Sequence, residues 1–148
     1  MGDRLAIRAD PFRLPVPDGW ADRTVVTLTG PDDGGFAPNI VLTAEPLCDH
    51  MGLGAFASGW LSRLAEHVSV REIRAVEHTH VAAEAAQVRT IGWADAGVGI
   101  AQLAALVLHD EVGYAIVATG LEETLDELDA VFRDVLEGFS FADREEPG

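Results

Sequence analysis

"GIAQLAALVL", Gly99–Leu108, decides the fold. Read as a strand, it sets Ile100, Gln102, Ala104, Leu106 and Leu108 on one face and Ala101, Leu103, Ala105 and Val107 on the other. An antiparallel strand with one wet face alternates apolar and polar side chains. This stretch does not alternate, so both of its faces must be covered, by two helices or with a partner or dimer mate on one of them. It is too short to cross a bilayer as a helix and reads as a buried strand. Gln102 is its one polar side chain, and a buried amide has to find hydrogen-bond partners.

Working outward, "YAIVAT" (Tyr114–Thr119) returns across "HDEVG" to complete a hairpin. Upstream, "SVREIRAVEHTHV" and "EAAQVRTIGW" read as two more strands. A helix is predicted from about Met51 to His67, with Asp49 as its cap and Leu53, Phe56, Trp60 and Leu64 as its apolar stripe. Gly52, Gly54 and Gly59 weaken that helix, so packing has to hold it.

The N-terminal third supplies a short strand at Phe12–Leu14, a turn at Pro17 and Gly19, a β-branched strand at Thr24–Thr29 and a further strand at Asn39–Glu45. Pro38 biases Ala37 toward extended geometry. Asn39 can bond nearby backbone at the strand start, and Pro46 ends the ladder. The last helix carries Leu121, Leu125, Leu128, Phe132, Val135 and Phe139 at helical spacing, with most of its acids off that stripe. Gly138 is expected to end it, with Phe139 folding back. The predicted order is β-β-β-α-β-β-β-β-α. The predicted class is α+β: a mainly antiparallel sheet of six or seven strands flanked by two helices.

Length and charge bound the function. A chain of 148 residues suits one domain, residues 1–148, with a loose tail at 142–148. The formal charge is −15, from 25 acidic and 10 basic residues, so the basic footprint of a nucleic-acid binder is missing. Anionic membrane surfaces are disfavoured for the same reason. Cys48 is the single cysteine, which excludes an intrachain disulfide and fits a reducing compartment. The N-terminus has no apolar signal-type stretch, and the expectation is a cytoplasmic protein without membrane insertion.

No catalytic signature emerges. His78 and His80 alternate on one strand face and could hold a metal with a third ligand, but none has helpful spacing, so solvated strand histidines are expected. Cys48 lies beside His50, yet turn neighbours seldom point at each other; it reads as a small apolar residue. Asp32 and Asp33 lack the periodic oxygen ligands of a calcium loop. Ser58 is outside any nucleophile elbow. The acids of the last helix lie on an expected solvent face. No cofactor, no metal and no enzyme activity are expected.

The order of these elements resembles the DcrB-like family of small bacterial domains, which share a fold with the photosystem PsbP proteins and the Mog protein. The similarity is carried by "FRLPVPDGWADRTVVTL", "APNIVLTAEPL", "ASGWLSRL", "EHTHVAAEAAQVR", "IAQLAALVLHDEVGYAIVATG" and "FRDVLEGFSF", covering roughly residues 10 to 141. The chain departs at Ala83, where the family carries glycine. LpqN-type lipoproteins look similar too, but they carry a lipobox cysteine that this chain lacks. The resemblance implies a dimeric chaperone or adaptor that shelters apolar segments of a type VI secretion effector. The alternatives are a PsbP-like accessory scaffold, and a metal protein or enzyme using His78, His80 and Cys48. If a client binds the sheet, Val25, Thr27, Val41, Thr43, Gln102 and Ala104 are its expected contacts.

Overall fold

The computed structural model describes residues 17–18, 26–30, 37–47 and 51–141. Six strands form one sheet: β1 (Val26–Thr29), β2 (Asn39–Pro46), β3 (Arg71–Val81), β4 (Glu84–Asp95), β5 (Val98–His109) and β6 (Val112–Leu121). Helix α1 (Leu53–Ala65) joins β2 to β3. A 3-10 turn, Glu122–Thr124, leads from β6 into α2 (Leu125–Gly138). Every pairing is antiparallel, and the strand order is β1-β2-β6-β5-β4-β3. The α+β class with two flanking helices is therefore as the sequence reads. The expected first strand at Phe12–Leu14 and the tail at 142–148 lie outside the described residues.

β5 sits inside the sheet, and both of its faces are dry. Ala101, Leu103, Ala105 and Val107 join a cluster with Leu125, Leu128, Phe132 and Leu136 of α2. Leu106, on the opposite face, joins Phe56 and Ala57 of α1 with Ala115 of β6. The missing alternation in Gly99–Leu108 thus has its cause: one helix covers each face. Because α1 carries the chain from β2 to the far edge strand β3, it has to cross the sheet over β5. Glycine lets it come close. A Cβ on Gly113 would lie 2.5 Å from Cε1 of Phe56.

The start of α1 differs from the sequence reading. The N-cap of α1 is Gly52, without a side-chain cap, while Asp49 lies outside the described residues. α2 ends at Gly138 as the sequence reads, and Phe139, extended at φ −77° and ψ 136°, donates its N–H back to the Leu136 carbonyl at 3.2 Å. β2 includes Pro46, and Leu47 still donates its N–H to the Glu111 carbonyl.

Three two-residue hairpins link β3 to β6, and their turn residues include Ala82 (φ 52°) and Ala83 (φ 69°), Ala96 (φ 53°) and Gly97 (φ 83°), and Asp110 (φ 51°) and Glu111 (φ 65°). Two positive φ angles in a row are what the right-handed strand twist requires of such a turn. Ala83 therefore occupies a conformation that glycine adopts without strain.

Arginine supplies all ten basic residues. Arg71 pairs with Glu122, and Arg74 with Asp126 and Asp129. Arg133 of α2 reaches back to Glu77 at 2.9 and 3.0 Å and to Asp129 at 3.1 Å. The bonds to Glu77 push the Arg133 pKa further up, against partial burial, with Asp129 adding to the effect. These pairs tie one flank of α2 to the edge strand β3.

Candidate functional site

Among the described residues the other flank of α2 is open. A helix about 10 Å wide covers roughly two strands spaced about 4.8 Å apart. α2 packs over β5 and β6, which leaves the β1–β2 half of the same face without a helix among the described residues. A groove of about 430 Å³ lies there. Its floor and walls are Leu28 of β1, Ile40 of β2, and Leu128, Val131 and Val135 of α2, with Pro38, Gly120 and Leu121 together at one end. Leu28 is 44% exposed and Val131 54%, so two large apolar side chains face solvent across it. Thr124 and Glu127 are its polar side chains; Thr29 and Asn39 also border it, from strand positions whose side chains point to the α1 side.

The local sequence explains this arrangement. β1 reads "VTLT", so Leu28 points to the α2 side while Thr27 and Thr29 point away. In β2 the same alternation puts Ile40 and Leu42 toward α2. On α2, Val131 and Val135 follow Leu128 at helical spacing but sit beyond the buried row of Leu125, Phe132 and Leu136. Asn39 makes no side-chain hydrogen bond among the described residues, and its pairing with Thr29 and Thr119 sets its side chain on the α1 side, away from the groove.

The expected client contacts fall on the opposite face. Thr27, Val41, Val117, Ala104 and Arg89 form one cross-sheet row, and Thr43, Ala115 and Leu106 the next. The structure therefore does bring Thr27, Val41, Thr43, Gln102 and Ala104 onto a common face, the α1 side. Val25 lies outside the described residues. Ala104 is fully buried and has no surface to offer. Gln102 is half-buried and donates from Nε2 to Thr119 Oγ1 at 2.9 Å, while its Oε1 is buried without a partner. Arg89 is the one described arginine without a carboxylate: it bonds Gln87 at 3.3 Å, and its Nε is buried without a partner.

Among the described residues, those weighed for chemistry build no site. His78 and His80 are exposed on β3, Ser58 is exposed on α1, and Cys48, Asp32 and Asp33 lie outside the described residues. Among the described residues no three His, Cys, Asp or Glu side chains gather as a metal site. No helix there is long and apolar enough to cross a membrane. What the groove can do is desolvate apolar side chains and answer a positive charge at Glu127. The sequence reading missed it. The signal was a valine, Val131, set among acids on the outer side of the last helix, together with the Thr-Leu alternation of β1.

No family model and no curated protein matches the chain. Solved structures do. PA94 of Pseudomonas aeruginosa, a protein of unknown function, superposes with a TM-score of 0.76 at 12% identity, covering 92% of this chain and 95% of that one. LpqN of Mycobacterium tuberculosis, involved in cell envelope biogenesis, superposes with a TM-score of 0.51 at 13% identity, covering 86% and 80%. At these identities the likeness is one of fold.

Proposed function

We propose that the protein is a non-enzymatic binding module, a cytoplasmic and homodimeric chaperone or adaptor that shelters an apolar segment of a protein client. The observation that carries this reading is the open groove between α2 and β1–β2, with Leu28 and Val131 facing solvent across it. Exposed apolar surface in a concavity costs solubility unless something occupies it. The charge of −15 would keep a protein with an apolar cargo in solution. The resemblance of the sequence to DcrB-like domains supports a type VI secretion effector as the client. An accessory scaffold without a groove, the alternative, leaves this concavity without a use.

The test measures binding of the apolar segments of the effector encoded beside this protein's own gene, in mild detergent, for the wild type and Leu28→Ser. Leu28 is exposed, so the variant is expected to fold. Binding by the wild type, lost in the variant, is the expected result, with light scattering reporting a dimer. A folded wild type that binds no such segment overturns the chaperone reading.

A further inference from the structure

The two flanks of α2 differ in charge as well as in packing. Asp126 and Asp129, on the β3 flank, are answered by Arg74 and Arg133. Glu127, which lines the groove, and Asp134, exposed on α2 three positions after Val131, have no ion pair among the described residues. The opposite wall, Leu28 and Ile40, carries no charge at all. The groove is therefore an apolar trough with an acidic rim along one side. Its width, the space over two strands, is that of one helix, and the stretch of α2 from Thr124 to Val135 that borders it is about 17 Å long at about 1.5 Å per residue.

We infer that this groove docks an amphipathic, cationic α-helix of a partner protein, whose apolar stripe packs on Leu28, Ile40 and Val131 and whose flanking Lys or Arg side chains face Glu127 and Asp134. The inference rests on the binding-module reading and adds the shape and charge of the occupant. Helix-in-groove recognition needs apolar anchors at i, i+3 or i+4, and i+7 from the partner, and a trough bounded by a parallel helix offers the matching ridge. Charge selects among such helices. An acidic or neutral helix would leave the two carboxylates unanswered, and like charges facing across an interface are penalised. The uncharged β-side wall sets the orientation: the basic flank of the partner lies outward, over α2.

The probe is a synthetic Leu/Ala/Lys helix of about 16 residues, with lysines along one flank of its apolar stripe, and its counterpart with glutamate at those positions. Fluorescence anisotropy reads binding to the full chain. The lysine peptide is expected to bind at least about tenfold more tightly than the glutamate peptide, with the difference shrinking as salt rises from about 50 to about 500 mM. Val131→Ser is expected to weaken the lysine peptide by about tenfold. Glu127→Lys with Asp134→Lys is expected to reverse the preference. All three positions are exposed, and circular dichroism checks that the fold is kept. Equal binding of both peptides to the wild type overturns the cationic assignment and leaves the binding-module reading standing. Failure of both peptides overturns the helix assignment, whereas the effector-segment measurement decides the reading beneath it. A photo-crosslinker at position 131 adds a last arm. Crosslinks to residues 1–16 of the chain, or to a second copy, would give the groove to the protein itself and overturn the partner assignment.

Discussion

The ring of Phe56 occupies the space in which a Cβ of Gly113 would stand: Cε1, Cζ and Cδ1 would all lie within 2.9 Å of it. The contact joins α1 to the strand pair β5–β6 at the centre of the sheet. Gly113→Ala is expected to destabilise by about 1–3 kcal/mol, the range for overpacking a tight core. Phe56→Leu in the same chain should recover part of that loss. Denaturant unfolding of the two variants checks this, and an unchanged midpoint for Gly113→Ala would show that α1 can lift without cost.

At the β3–β4 turn the expected change has the other sign. Ala83 has φ 69° and an exposed side chain, a conformation that costs a residue with a Cβ about 1–2 kcal/mol. Ala83→Gly removes that cost but loosens the unfolded chain by about 0.4–1 kcal/mol. A net gain of about 0–1.6 kcal/mol is expected, read as a rise in Tm. A fall would mean that the turn is not strained.

Phe132 is fully buried at the middle of α2, and truncating a buried aromatic costs about 3–5 kcal/mol. Phe132→Ala is expected to fall in that range by chemical denaturation. A loss below about 1 kcal/mol would place α2 off the sheet.

Gln102 and Thr119 share one hydrogen bond across β5 and β6, with the amide oxygen left over. Thr119→Val alone should cost about 1–3 kcal/mol, because the Gln102 amide then loses its partner. Adding Gln102→Leu removes both polar ends, and the double variant is expected to be no less stable than the wild type. A double variant that loses more than either single one would show that the amide has a further partner.

Chelator is expected to leave Tm unchanged, since no ligand set gathers among the described residues. A clear drop on adding it would reveal a structural metal.

Much of the fold was legible because its signals are local. Ile100 to Leu108 could not hide that both faces were dry, and Leu125, Leu128 and Phe132 marked their helix face by spacing alone. The site was harder to read, for physical reasons. Whether Thr27 or Leu28 faces α2 depends on register across β1, β2 and β6, and a slip of one residue exchanges the faces. Five of the expected contacts therefore share a face, but the groove lies behind it. The exposure of Val131 depends on where α2 lies across the sheet, and the pairs of Arg74 and Arg133 that hold its other flank span more than fifty positions. Phe56 and Gly113 meet only because α1 crosses the sheet, which no local pattern in either segment announces.

The strand order also has a consequence for how the molecule is made. β3 to β6 are successive hairpins with two-residue turns, so their contacts are short in sequence and should form early and fast. β2 is different: its partner β6 follows only after α1 and three more strands. A growing chain therefore emerges with Ile40 and Leu42 able to pair with β1 but with their β6 partners still to be made. The β1–β2 hairpin waits longest for its place and, held through one strand, is expected to detach first, with the fastest amide exchange in the sheet. The same hairpin forms one wall of the groove, so an occupant that bridges it to α2 would slow the earliest step of unfolding.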